Sequence, residues 1–179
     1  MIGDISINGR VIGLGHTPYV IAEMSANHNG IIENAYKIVN VAKASGADAV
    51  KLQTYHPDTI TIDINTEQFI IEGGLWGGQT LYELYRSAHM PWEWHRPLFD
   101  YAQKIGITMF SSPFDKTAVD LLEDLNAPAY KIASFEAVDI PLIKYVAQTR
   151  KPMIISTGLA NAEEIQEAID AAREGGCKE

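Results

Sequence analysis

The chain alternates between short apolar segments and longer stretches whose apolar residues recur at helical spacing, and this unit occurs five times. Each short segment is typical of a buried parallel strand, and each longer stretch is typical of an outer helix. The strand-like segments are residues 19–25, 48–54, 107–112, 129–134 and 152–157. Strands joined by single helices predict a parallel sheet, either an open doubly wound layer or a closed barrel.

The turn after the first strand favours one of these two sheets. It reads SANHNG and lacks the GxGxxG spacing of a dinucleotide-binding fold, so the sequence favours a (β/α)8 barrel, the TIM barrel. A complete barrel takes roughly 250 residues, whereas this chain has 179. We therefore predict one partial barrel domain over residues 1–179, an α/β TIM barrel truncated after about five βα units.

Two segments depart from the βα repeat. The start, ISINGRVIG, alternates apolar and polar residues around Asn8 and Gly9, which predicts an N-terminal β-hairpin within residues 1–16. The second βα unit is interrupted by an insertion over residues 55–90, which contains GGLWGGQT and a short helical stretch, YELYRSA. Insertions at the carboxyl ends of barrel strands form lids and substrate loops, and we predict that role here; a loop without function is the alternative.

Composition narrows the choice of partners. The formal net charge is −9 and no predicted helix carries a basic stripe, which argues against nucleic acid as a partner. The single cysteine, Cys177, cannot form an internal disulfide, and no leader or apolar run of membrane-spanning length is visible. A cytoplasmic protein without a membrane partner is the expectation.

Two lysines, Lys51 and Lys131, lie in the middle of strand-like segments. Side chains alternate along a strand, and alternate strands of a barrel fill the same interior layer, so these lysines are expected to share one layer. Because a buried ion is costly unless it is paired, two of them predict a bound anion. The alternative is an ion pair between Glu23 and Lys51 in the barrel core, with Lys131 reaching out to solvent.

Hydroxyl groups follow three consecutive strands at Ser112, Ser134 and Ser156, on the face where barrel active sites lie. A single serine is more often a turn former, but three of them beside two lysines predict a site for phosphate and carboxylate oxygens. Glu136 is a candidate general acid or, alternatively, a solvated loop carboxylate. The histidines have no metal-ligand spacing, so none is assigned to a metal; His28 is a candidate ligand contact.

The motifs IAEMSANHNG, VKLQTY, FSSPFD, YKIASFE and IISTG resemble, in this order and spacing, those of the sialic acid synthase family. Members of that family condense phosphoenolpyruvate with an N-acetylated amino sugar. Within the family, EMSANHNG, LWGGQTLYELYRSAHMPWEWH and KIASFE look most like the pseudaminic acid synthases. The resemblance implies a 2,4-diacetamido-2,4,6-trideoxy hexose as acceptor and pseudaminic acid and phosphate as products. The alternatives are an N-acetylneuraminate or legionaminate synthase, or an inactive anion-binding fragment.

The resemblance also implies a role for each matching residue. The implied contacts are Lys51 and Ser112 with the carboxylate of phosphoenolpyruvate, Lys131, Ser134 and Ser156 with its phosphate, Gln53 with the acceptor sugar, Glu136 as acid toward the aldehyde oxygen, and Glu23 near the metal-bound water. The family further implies a divalent metal ion (Mn²⁺, Mg²⁺ or Co²⁺) and a homodimer. The metal ligands on later strands and the antifreeze-like C-terminal domain are absent from this chain, so we expect the isolated chain to be inactive or barely active.

Overall fold

The structure is a computed structural model that describes residues 3–178, so Met1, Ile2 and Glu179 of the predicted 1–179 domain lie outside it. The strands are β1 (Ile5–Ile7), β2 (Arg10–Ile12), β3 (Ile21–Glu23), β4 (Ala49–Thr54), β5 (Thr108–Pro113), β6 (Tyr130–Ile132) and β7 (Met153–Ile155). The α-helices are α1 (Ile32–Ala44), α2 (Pro57–Ile60), α3 (Leu81–Ala88), α4 (His95–Ile105), α5 (Lys116–Asp124), α6 (Ile140–Ala147) and α7 (Ala162–Gly175).

The central sheet is parallel, and its strands lie side by side in the order of the chain, from β3 to β7. A doubly wound sheet reverses its strand order at a switch point, whereas a barrel does not. The unbroken order is that of a barrel section, so the prediction of a partial TIM barrel with five βα units is confirmed. None of the helices within residues 3–178 is both long and apolar enough to span a membrane.

The predicted N-terminal hairpin is confirmed from Ile5 to Ile12; the first two residues of the predicted 1–16 range are not described. Its turn has positive φ at Asn8 (50°) and Gly9 (79°), which fits the twist of paired antiparallel strands. Ile7 is buried and packs with Ala49, Phe110 and Ala129 inside the barrel section. The hairpin therefore covers the amino-terminal end of the sheet and leaves the carboxyl end as the mouth.

The insertion over residues 55–90 is built around two helices, α2 and α3. Helix α3 begins with an N-terminal capping box in which Thr80 accepts from the Glu83 N–H and Glu83 accepts from the Thr80 N–H. The two ends of the insertion meet directly, because Trp92 Nε1 donates to the carbonyl oxygen of Tyr55 at 3.4 Å. The pattern of Asn161 with Glu164 three residues later is typical of a capping box, and one is present at the start of α7, where Asn161 accepts from the Glu164 N–H and Glu164 accepts from the Asn161 N–H.

A polar network lies on the helix-facing side of β4 and β5. Thr54 Oγ1 is 2.9 Å from His95 Nε2 and 2.6 Å from Ser111 Oγ, and His95 Nδ1 is 3.3 Å from the carbonyl oxygen of Trp92. Thr54, Ser111 and His95 are fully buried. Burial lowers the pKa of His95 to about 4, against hydrogen bonds to the carbonyls of Pro91 and Trp92 that raise it. His95 is thus a neutral packing residue.

The low pKa of His95 makes stability depend on pH. The unfolded chain takes up a proton at this histidine below about pH 6.5, and the folded chain does so only near pH 4. The free energy of unfolding should therefore fall as pH drops from about 6.5 to about 4, with His95 accounting for at most about 3 kcal/mol. Urea unfolding of the wild type and of His95→Gln, followed by tryptophan fluorescence across this range, should show a shallower pH slope in the variant; equal slopes would contradict the assignment.

Candidate functional site

The register of the parallel sheet decides which interior side chains lie at one height. In an eight-stranded barrel of shear eight, a layer climbs by about one residue for each strand crossed. Lys51 lies opposite Phe110, and Ser111 lies opposite Tyr130, so Lys131 is two residues farther along after two strands. Lys51 and Lys131 therefore share one interior layer, in agreement with the alternation of side chains along the strands.

The same count defines the layers above and below the two lysines. Below them, toward the hairpin, are the apolar side chains of Ile21, Phe110 and Ile154. Above them, toward the mouth, the next layer contains Glu23, Ser112 and Ser156, and Gln53 lies one layer higher still. The interior of the barrel section thus has a hydrocarbon floor, a layer of two ammonium groups, and a layer of carboxylate and hydroxyl groups at the mouth.

Lys51 and Glu23 form an ion pair across the first two strands of the sheet. Lys51 Nζ is 2.9 Å from Glu23 Oε2, and the two side chains are 5% and 55% exposed. This part of the alternative interpretation is confirmed. The lysine is buried, and its carboxylate partner is exposed at the mouth. The ammonium group of Lys51 is therefore neutralised from the mouth side of the barrel.

Lys131 is partly buried, so the alternative interpretation was wrong to place it in solvent. Burial lowers its pKa, the neighbouring ammonium of Lys51 lowers it further, and the carboxylates of Glu23 and Glu136 act in the opposite direction. This repulsion agrees with the shared interior layer that the strand register assigns to the two lysines. Glu23 neutralises one of the two cations, and a bound anion would neutralise the other.

The three predicted serines lie around this space. Ser112 is 1% exposed, and its Oγ has no hydrogen-bond partner among the described residues. A buried hydroxyl left unpaired costs about 1–3 kcal/mol, which a ligand oxygen would recover. Ser134 and Ser156 are partly buried, and a Cβ atom placed on Gly158 would lie 3.5 Å from Ser134 Oγ, so the loop after β7 passes beside Ser134.

Glu136 lies in the 3-10 turn Phe135–Val138, directly after β6 and Ser134. Its Oε2 is buried and has no partner among the residues that the structure describes, which disagrees with the alternative of a solvated loop carboxylate. Burial raises the pKa of Glu136, as does the charge of Asp139, while its own backbone N–H and Lys131 lower it. A carboxyl group that holds its proton to higher pH than usual is suited to act as an acid.

The sequence reasoning missed an aromatic cluster that the insertion contributes to the mouth. Tyr55, buried directly after β4, meets the rings of Tyr85 and Phe114 edge to face at 5.8 and 5.4 Å. Burial raises the pKa of Tyr85, and the charge of Glu136 raises it further, so α3 reaches the neighbourhood of the candidate acid. His28 packs edge to face on Trp94, beside the helix-side core. The signal available in the sequence was the position of Tyr55 at a strand end.

The described residues do not by themselves fit a metal centre. Between residues 3 and 178, no group of three or more histidine, cysteine, aspartate or glutamate side chains is placed to hold an ion. The carboxylate of Glu23 is already engaged by Lys51. The divalent metal stays a prediction from the family resemblance, and no step proposed below is routed through it.

Comparison with known proteins identifies relatives of this arrangement. The sequence model described as the NeuB family matches residues 38–179. The chain is 50% identical to the pseudaminic acid synthase of Helicobacter pylori over 156 residues, which cover 87% of this chain and 46% of that protein. It is 34% identical to the N,N'-diacetyllegionaminic acid synthase of Legionella pneumophila over 168 residues, 93% of this chain and 47% of that protein.

The fold also matches a solved structure. The crystal structure of the spore coat polysaccharide biosynthesis protein SpsE from Bacillus subtilis superposes with a TM-score of 0.76 at 31% identity, covering 98% of this chain and 46% of that one. This chain therefore spans about half the length of the curated relatives that it matches.

The repulsion between the two lysines predicts how variants respond to an anion. At neutral pH the charged Lys131 opposes folding in the absence of a ligand, so Lys131→Met should raise Tm by a few degrees, given about 2–4 °C per kcal/mol for a chain of this size. Millimolar inorganic phosphate should raise the Tm of the wild type and leave that of Lys131→Met unchanged.

The matched control is Lys37→Met, which removes an exposed lysine on α1 and should behave as the wild type in both measurements. Equal stabilisation of Lys131→Met and wild type by phosphate, read by differential scanning fluorimetry, would show that Lys131 does not contact the anion.

Proposed function

Because this chain belongs to the NeuB family, we propose that the protein containing it condenses phosphoenolpyruvate with a 2,4-diacetamido-2,4,6-trideoxy hexose to give pseudaminic acid and phosphate. The single observation that carries the proposal is the shared layer of Lys51 and Lys131, open toward hydroxyl and carboxyl groups at the mouth. A small anion with both a carboxylate and a phosphate matches two cations that share one interior layer. The 50% identity to a pseudaminic acid synthase, against 34% to a legionaminic acid synthase, supports the choice of acceptor.

The lysine layer and the hydroxyl groups at the mouth both bind phosphoenolpyruvate. Lys51 and Ser112 bind its carboxylate, and Lys131, Ser134 and Ser156 bind its phosphate, with the serine hydroxyls donating to ligand oxygens. The buried and unpaired Oγ of Ser112 supports this, because a ligand oxygen would satisfy it. The apolar floor below the lysines excludes water from that side and strengthens each charge interaction.

The bond-forming step joins C3 of the enolpyruvate to the aldehyde carbon of the open-chain sugar. Glu136 donates its proton to the aldehyde oxygen as the new C–C bond forms, and Gln53 orients the sugar at the mouth. Positive charge then develops at C2, where a water molecule adds and gives one proton to the Glu136 carboxylate, which restores the acid. The resulting tetrahedral intermediate breaks its C–O bond to phosphate as its hydroxyl becomes the keto group, and phosphate leaves from between Lys131 and the serines with that hydroxyl proton. The carboxylate of Glu23 stays paired with the Lys51 ammonium throughout.

The remaining parts of the proposal follow from the substrates and the family resemblance. We place the reaction in the cytoplasm, where phosphoenolpyruvate is produced. A divalent metal ion and a homodimer also belong to the proposal, and sedimentation equilibrium of the protein containing this chain tests the second.

The activity is tested by phosphate release from phosphoenolpyruvate in the presence of candidate acceptors, with divalent metal added. We expect release with the 2,4-diacetamido-2,4,6-trideoxy hexose of pseudaminic acid, and little with N-acetylmannosamine or with the legionaminic acid precursor. A preference for either of the latter two acceptors would reassign the substrate. Phosphate release with none of them would refute the proposed function.

Replacing the candidate acid separates chemistry from binding. Glu136→Gln should lower kcat by about 10²–10⁴-fold, because the amide cannot donate the carboxyl proton, and should change the KM for phosphoenolpyruvate little. Glu167→Gln on the exposed face of α7 is the control and should match the wild type. A raised KM with unchanged kcat in Glu136→Gln would assign the residue to binding rather than proton transfer.

A further inference from the structure

The direction of every hydrogen bond in the network behind β4 and β5 can be assigned. The carbonyl oxygen of Trp92 can only accept, so the proton of neutral His95 is on Nδ1. His95 Nε2 then accepts from the Thr54 hydroxyl at 2.9 Å, and Thr54 Oγ1 accepts from the Ser111 hydroxyl at 2.6 Å. The chain of donors therefore runs in one direction, from Ser111 through Thr54 and His95 to Trp92.

This network spans the ends of two neighbouring strands. The backbone pairing of β4 with β5 runs to Thr54 and Pro113. The bond from Ser111 to Thr54 adds a side-chain link between the two strands on the helix-facing side. The carboxyl ends of β4 and β5 are therefore joined by side chains as well as by the backbone ladder.

The residues next to these two hydroxyls are proposed to bind the substrates. Gln53 precedes Thr54, Ser112 follows Ser111, and the register pairs Gln53 with Ser112. Because side chains alternate along a strand, Gln53 and Ser112 face the barrel interior while Thr54 and Ser111 face the helices. If the backbone at the end of β4 or β5 moved, the neighbouring interior donor, Gln53 or Ser112, would move with it.

The network also anchors the insertion. Trp92 accepts from His95 through its carbonyl and donates through Nε1 to the carbonyl oxygen of Tyr55, which directly follows Thr54. The two ends of the insertion and the end of β4 thus form one closed ring of contacts. His95, the first residue of α4, belongs to that ring.

We propose that His95 is a positioning residue: through Thr54 and Ser111 it fixes the strand ends that carry Gln53 and Ser112, and through Trp92 it fixes the insertion over the mouth. The inference rests on the proposed function, because it names the residues that hold the substrate-binding side chains of Gln53 and Ser112 in place. It predicts that breaking the network raises the KM for phosphoenolpyruvate, although no member of the network touches the substrate.

The test compares Thr54→Val, Thr54→Ser and Tyr145→Phe in the protein that contains this chain. Thr54→Val should raise the KM for phosphoenolpyruvate by about tenfold, the order of effect expected when a donor is displaced by a fraction of an ångström. Thr54→Ser keeps the hydroxyl and should restore the wild-type KM. Tyr145→Phe also removes a side-chain hydrogen bond, the one to Asp120 that joins α6 to α5 away from the strands. It should leave KM unchanged.

Equal KM values for Thr54→Val and wild type would overturn the inference, and so would an equal rise in Tyr145→Phe. A wild-type protein that releases no phosphate from phosphoenolpyruvate refutes the proposed function instead. In that case NMR decides the inference without activity. The backbone amide signal of Ser112 and the side-chain amide signals of Gln53 should shift in Thr54→Val and stay in place in Tyr145→Phe, and unshifted signals in Thr54→Val would overturn the inference.

Discussion

The burial of two ammonium groups in one layer of the barrel section is the constraint on which the rest of the site depends. Neither Lys51 nor Lys131 can be hydrated from below, where Ile21, Phe110 and Ile154 form an apolar floor. Their charges can be compensated only from the mouth, where the carboxylate of Glu23 is bonded to Lys51 and that of Glu136 acts on Lys131. Burial and the charge of Lys51 nevertheless lower the pKa of Lys131. An anion with two charged groups would stabilise both ammonium groups.

Much of this arrangement can be predicted from the sequence because strands and helices impose different periods. The five βα units, the hairpin at Asn8 and Gly9 and the capping box at Asn161 each follow from a local pattern whose physical cause is local. The shared layer of Lys51 and Lys131 follows too, because a barrel advances its layers by a fixed stagger. The ion pair between Glu23 and Lys51 could be named from the sequence only as an alternative, because it depends on the register that places the two residues opposite each other on neighbouring strands.

The roles of adjacent polar residues show where sequence reasoning reaches its limit. Ser111 and Ser112 are identical in type, yet Ser111 bonds to Thr54 on the helix side while Ser112 faces the interior unpaired. A register shift of one residue would exchange them. The contact of Tyr85 with the neighbourhood of Glu136 could not be predicted either, because it depends on how the insertion folds back over the strand ends. Local patterns define elements, whereas the path of a long insertion is decided by tertiary packing.

The net negative charge of the chain means that anion binding must come from local positive charges. A net charge of −9 repels an anionic substrate at long range, but screening at physiological ionic strength limits that repulsion to about 8 Å from the exposed charges. Inside the barrel the screening is weaker, so the buried Lys51 and the partly buried Lys131 act on a ligand there more strongly than the exposed carboxylates do. Affinity must therefore come from the geometry of a few interior side chains. These side chains keep their positions only if the strands that carry them do not move. The hydrogen bonds of Thr54 with Ser111 and His95, on the helix-facing side of the same strands, therefore affect binding.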